Sequence, residues 1–218
     1  MEFRILGPIE VVDNGRALPL GSRKQRALLA LLLLHAGKVV SRDRLIDDLW
    51  QGEPPAAAET TLRSHISRLR SALGASRLLS QAPGYRLVLA PDELDVKRCE
   101  YLLAEGRDAL VQGRAADAAE RLRAALALWR GSVLADLAYE PFAQGEIARL
   151  EELRLAVLEE RIEADLALAR HADLVGELEG LVVEDPLRER LRGQLMLALY
   201  RSAARPTRSR ATRRRGVC

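Results

Sequence analysis

The chain has 218 residues, 48% hydrophobic, 30% charged and only 4% aromatic. That is enough apolar material for one or two domains of about 150 residues. The abundance of Ala, Leu, Arg and Glu predicts a mostly helical protein, since these side chains lose little freedom in a helix. The longest apolar run, residues 27–34, is far short of the roughly 20 residues that span a bilayer. No cleavable leader pattern opens the sequence, and two cysteines, Cys99 and Cys218, make no disulfide framework. The composition therefore excludes secretion and membrane insertion and fits a cytoplasmic protein in a reducing compartment.

Charge is unevenly placed. Residues 1–91 carry 13 Lys/Arg against 8 Asp/Glu, residues 92–201 carry 15 against 23, and residues 202–218 carry 6 against none. A basic block followed by an acidic one predicts two domains with different partners, the first suited to a polyanion.

In chain order, Phe3, Ile5, Leu6, Ile9, Val11 and Val12 read as strands, with Asp13-Asn14-Gly15 a hairpin turn and Ala17, Leu18 and Leu20 the return. Three helices follow. Ser22 caps the first, which Gly37 stops; Ser41 caps the second, with Leu45, Ile46, Leu49 and Trp50 on one face. Pro54-Pro55 opens the third and Gly74 closes it. A second hairpin turns at Ala82-Pro83-Gly84. Strands, three helices and a hairpin make a winged helix-turn-helix over 1–91. After Pro91-Asp92-Glu93 the chain reads as helical throughout, about 95–112, 115–129, 140–170, 173–184 and 187–201. These pairs resemble tetratricopeptide-type repeats. The expected fold class is thus mainly α with small β elements, a winged helix-turn-helix ahead of an all-α helical-repeat domain over 92–202.

At 100° per residue, Leu62, Ile66, Leu69 and Leu73 form the core stripe of the third helix. Thr61, Ser64 and Arg68 lie together on the far side, two hydroxyls and a guanidinium of the kind that meet base edges and phosphates. Arg63 and Arg70 flank them, suited to phosphate, and Arg86 beyond the hairpin turn suits a phosphate or the minor groove. A solvated face looks the same in isolation; the surrounding strand–helix–hairpin order favours nucleic acid. His65 falls at the core edge as a packing or capping residue. Arg23, Lys24 and Arg26 at the start of the first helix either touch phosphates or serve solubility.

Enzyme signatures are missing: no Walker A loop, no strand-borne G-x-G-x-x-G, no H-E-x-x-H and no nucleophile elbow. His35, His65 and His171 are too scattered for a metal site, and no cofactor is expected. The acidic pairs Asp47-Asp48, Glu151-Glu152 and Glu159-Glu160 read as solvated helix faces, and Cys99 as a small core residue.

His65-Ile66-Ser67-Arg68-Leu69-Arg70 and Pro83-Gly84-Tyr85-Arg86-Leu87 resemble the recognition helix and wing of OmpR-type winged-helix domains. Leu128-Trp129-Arg130-Gly131, Glu140-Pro141-Phe142, the run from Arg149 to Arg154 and the run from Pro186 to Leu191 resemble a bacterial transcriptional activation domain. Together, over about residues 3–202, the chain is similar to the Streptomyces antibiotic regulatory protein family of pathway-specific activators. The resemblance implies two protomers on tandem direct repeats of double-stranded DNA, spaced about one helical turn, with the helical domain contacting a partner protomer and RNA polymerase holoenzyme. It places Thr61, Ser64 and Arg68 at groove-facing positions and Arg70 at a DNA-contacting one. Gln81 stands where many members have a basic wing residue, which weakens the wing's grip.

The end departs from the family. Residues 203–218, AARPTRSRATRRRGVC, hold six arginines and no amphipathic pattern where members continue with another helix. Either the coding frame has shifted near residue 202, or this is a basic, disordered tail adding phosphate contacts. Both leave the helix over 187–201 short of a packing partner and predict fraying or aggregation there with DNA binding intact. The alternatives to an activator are a helical-repeat adaptor and a DNA-binding competitor that does not activate.

Overall fold

The computed structural model describes residues 1–203; apart from Ala203, the expectations for the basic end lie outside the described residues. The elements are β1 (Glu2–Arg4), β2 (Glu10–Asp13), β3 (Arg16–Ala17), α1 (Arg23–Leu34), β4 (Val39–Ser41), α2 (Arg42–Trp50), α3 (Ala58–Leu73), β5 (Leu78–Gln81) and β6 (Gly84–Leu87). Then come α4 (Asp95–Val111), α5 (Ala115–Leu126), one 3-10 turn (Ala135–Leu137), α6 (Pro141–Ala167), α7 (His171–Glu184) and α8 (Glu189–Ala203). The fold is mainly α with small sheets: a winged helix-turn-helix followed by paired helices. Among the described residues no helix is long and apolar enough to cross a membrane.

Local chemistry sets the helix starts. The Ser22 and Ser41 hydroxyls accept from Gln25 N at 3.4 Å and Arg44 N at 3.2 Å, satisfying amides the first turns leave free. The third helix begins later than the proline pair suggests. Pro55 O accepts from Ala58 N at 2.9 Å in a turn, and α3 starts at Ala58. Leu62, Ile66, Leu69 and Leu73 are all buried, as their spacing predicts.

Two three-stranded sheets frame these helices, β1-β2-β3 and β4-β6-β5. The strand β4 was not legible in the sequence. Its three residues pair with β6, Val40 opposite Tyr85 and Ser41 opposite Gly84. A Cβ on Gly84 would stand 1.8 Å from the Val40 carbonyl oxygen, so only glycine lets the two backbones approach there.

The chain crosses residues 91–92 without a break in packing. Phe3 N donates to Glu93 O at 2.7 Å, and Asp95 Oδ2 accepts from Ile5 N at 2.8 Å and Leu6 N at 2.9 Å. One buried apolar cluster runs from Phe3 through Leu69 and Leu122 to Ala164. A second, smaller cluster joins the end of α6 to α7 and α8 through Ile162, Leu166, Leu174, Leu178, Leu191 and Ala198. Cys99 is fully buried in the larger cluster, and burial pushes its thiol up to about 12.

Two local expectations need correction. Helix α5 ends at Leu126, so Trp129 packs from the following loop rather than from the helix face. Glu159 and Glu160 are buried instead of solvated, because Arg188, just ahead of α8, and Arg190, in its first turn, fold over them at 2.7 and 3.0 Å. Periodicity alone missed this because α6 is covered on more than one side.

Candidate nucleic-acid interface

The apolar stripe of α3 turns its opposite face outward. Arg63, Ser64 and Arg68 are exposed there, and Thr61 is half-buried with its hydroxyl donating to Ala57 O at 3.0 Å. That bond occupies the Thr61 proton and leaves its oxygen to accept. Arg63 is paired with Glu59 one turn back at 3.1 Å, an exposed pair of little energetic weight. No ion pair engages Arg68 among the described residues. Thr60 and Ser67 also lie on this face. Both are exposed on α3, at about 160° and 140° from Leu62 on the same helical projection, positions the helical period alone assigns to the outward face.

Arg70 is placed differently from the other three. It is half-buried between α3 and the wing, with Nε donating to Leu78 O at 2.8 Å and Nη2 to Ser80 Oγ at 2.7 Å. Its guanidinium also lies 5.9 Å from the Tyr85 ring centre, within cation–π reach. Its Nη1 carries no hydrogen bond to the described residues, so one edge of the fork remains for an anion. Arg86 sits on β6, the middle strand of its sheet, half-buried with Nε lacking a partner among the described residues. The structure therefore groups Thr61, Ser64, Arg68 and Arg63 on one helix, ties Arg70 to the wing, and sets Arg86 apart on the sheet.

At the wing tip Gln81, Ala82 and Pro83 are exposed, with a cis bond between Ala82 and Pro83. Pro83 O accepts from Arg42 N at 3.3 Å, which brings the exposed residue Arg42 beside the tip. Nothing in the local sequence marks Arg42, since its place depends on β4 pairing with β6.

His65 is buried beside the helix–wing core, its Nδ1 without a partner among the described residues. Burial, then the nearby positive charges of Arg68 and Lys24, push its pKa down, so the ring stays neutral at neutral pH. Arg23, Lys24 and Arg26 have structural partners. Arg23 pairs with Glu140 at 3.1 Å, Arg26 with Asp136 at 2.8 Å, and Lys24 donates to Leu49 O and lies 5.6 Å from the Trp50 ring centre. Among the described residues no group of three His, Cys, Asp or Glu is placed to hold a metal ion.

Family comparison matches residues 15–87 to "Transcriptional regulatory protein, C terminal" and residues 94–207 to "Bacterial transcriptional activator domain". The chain is 44% identical over 203 residues to the regulatory protein AfsR of Streptomyces coelicolor, covering 93% of this chain and 20% of AfsR. It is 42% identical over 213 residues to the regulatory protein DnrI of Streptomyces peucetius, covering 93% of this chain and 78% of DnrI. It thus spans about a fifth of AfsR but most of DnrI. The solved structure of Mycobacterium tuberculosis EmbR, in complex with a low-affinity phosphopeptide, superposes with a TM-score of 0.89 at 36% identity over 93% of this chain and 55% of that one. The chain belongs to the Streptomyces antibiotic regulatory protein family of transcriptional regulators.

Proposed function

We propose that the chain is a sequence-specific DNA-binding activator acting in the cytoplasm on the nucleoid. Residues 1–91 read the duplex, and residues 92–202 contact proteins. Helix α3 enters the major groove, with Arg68 against a guanine edge and Ser64 and Thr61 beside it. Arg63, Arg70 through its open edge, and Arg86 meet phosphates. Two protomers occupy tandem direct repeats about one helical turn apart, and the helical domain faces the neighbouring protomer and RNA polymerase holoenzyme. The observation that carries this reading is the exposed Ser64–Arg68 face of α3, held against the wing by Arg70.

Selection of bound fragments from random duplex DNA tests it. Recovery of two copies of one short motif at helical-turn spacing is the expected result. Fragments sharing no motif would favour a protein adaptor. A second reading, a DNA binder that occupies promoters without activating, draws on the apolar surface of α8, where Met196 and Tyr200 are each 72% exposed. A promoter reporter separates the two, since an activator raises transcription from the selected site and a competitor lowers it.

A further inference from the structure

We infer that Glu140, on the helical half, is a positioning residue for the recognition helix; the inference rests on the DNA-binding reading of α3. Glu140 stands at the N-cap of α6, where a side chain ordinarily bonds the first free amides, yet it makes no such bond. Its carboxylate is turned into the winged-helix half and is only 5% exposed. Oε1 pairs with Arg23 Nε at 3.1 Å, at the start of α1. Oε2 accepts from Gln51 Nε2 at 3.2 Å. Gln51 is the C-cap of α2 in a left-handed conformation (φ 55°), and the turn that begins there delivers the chain to α3.

The segment carrying Glu140 is itself fixed. Val133, Leu134 and Leu137 are buried in the main core, and Arg130 N donates to Leu6 O at 2.8 Å. Asp136, on the same segment, accepts from Ile9 N at 3.1 Å and pairs with Arg26. The loop between α5 and α6 is thus wedged between the first sheet and α1. Movement of α5 or α6 reaches α1 through Arg23 and the end of α2 through Gln51, two polar contacts on one carboxylate. Packing alone would be served at least as well by an apolar side chain, because a buried carboxylate carries a desolvation cost that its partners must offset. What the charge adds is a fixed direction for the Gln51 turn, and with it the angle at which α3 meets the groove. A protein bound to the helical half would bias DNA recognition through this joint.

The test compares the full chain with its Glu140→Gln, Gln51→Asn and doubly substituted forms. Asparagine keeps the left-handed cap but is too short to reach Glu140. Affinity is measured over a range of salt for the duplex recovered by selection and for a shuffled duplex, alongside the melting temperature. Each single substitution is expected to weaken binding to the selected duplex by about tenfold. Affinity for the shuffled duplex and the salt slope stay unchanged, and the double form is no weaker than the weaker single one. Unchanged affinity for the selected duplex overturns the inference. So does an equal loss on both duplexes with a lower melting temperature, which marks a merely structural role, or two losses that multiply, which marks independent action. An unsubstituted chain that binds both duplexes alike would sink the DNA reading itself, and the positioning role with it.

Discussion

Arg70 on α3 donates from Nη2 to the Ser80 hydroxyl at 2.7 Å, and from Nε to the carbonyl of Leu78, tying the recognition helix to the wing. One side chain therefore sets the distance between α3 and the wing. Arg70→Ala is expected to weaken binding to a selected duplex by about tenfold and to lower the salt slope by about one, as its open edge leaves a phosphate. Arg70→Lys recovers the charge but not the fork, and is expected to restore the slope without restoring the affinity. Fluorescence anisotropy at several salt concentrations measures both.

Arg68 is exposed, free of ion pairs among the described residues and set on the rigid face of α3. Arg68→Ala is expected to cost about 1–3 kcal/mol of binding to the selected site and to relax preference at one base pair. The melting temperature stays within the small range of surface changes. Repeating the selection with the variant shows which base position loses its preference.

Leu69 is fully buried behind that face. Leu69→Ala is expected to destabilise the fold by about 2–5 kcal/mol, through lost burial and the cavity left behind. Chemical denaturation reads it. A loss of DNA affinity without a loss of stability would place Leu69 outside the core.

Two carboxylates at the joint between the halves have pKa values displaced in opposite directions. The Arg77 guanidinium bonded to both oxygens of Glu93, at 2.6 and 2.7 Å, holds its pKa down at about 2. Its stabilising contribution is present above the ordinary value of 4.5 and is lost as pH falls toward 2. Asp95 is pushed up to about 6 by burial, against the opposing pull of the Leu6, Ile5 and Val96 amides. Protonated Asp95 is the better tolerated form, so its contribution is present below 3.8 and is lost as pH rises through 6. Melting temperatures between pH 2 and 7 should therefore show two regimes. Glu93→Gln is expected to flatten the acid limb, and Asp95→Asn to flatten the slope between about pH 4 and 6.

Most of α3 was legible in the sequence because its stripe of Leu62, Ile66, Leu69 and Leu73 obeys the helical period. The same arithmetic locates the outward face, to which Thr60 and Ser67 also belong. What the sequence did not reveal depends on distant partners. Strand β4 exists because β6 offers it a ladder, Arg42 reaches the wing tip through that pairing, and Arg70 lies against Leu78 and Ser80 only once the wing folds back. Glu140 was marked only as part of the Glu140-Pro141-Phe142 motif, and Asp136 only as one residue of an acidic block. Their roles arise from Arg23, Gln51 and Arg26, more than 80 residues earlier.

Helix α8 presents apolar side chains on more than one side. Leu191 and Ala198 are buried, while Met196 and Tyr200 are largely exposed and Leu199 partly so. A helix with so much apolar surface in water is prone to self-association. Amides of α8 are expected to exchange faster than those of α3, and Met196→Glu with Tyr200→Glu to reduce light scattering at high protein concentration without changing DNA affinity. Exchange across α8 as slow as in α3 would contradict this.

If α3 reads duplex DNA, its hydroxyl-and-guanidinium face must discriminate between sequences. The most direct test is binding of the intact chain to its selected duplex and a shuffled one as salt rises from about 50 to 200 mM. Both affinities are expected to fall steeply with salt while the preference for the selected duplex persists, and Arg68→Ala is expected to remove much of that preference. A flat salt response, or equal affinity for the two duplexes at every salt concentration, would contradict DNA reading by α3.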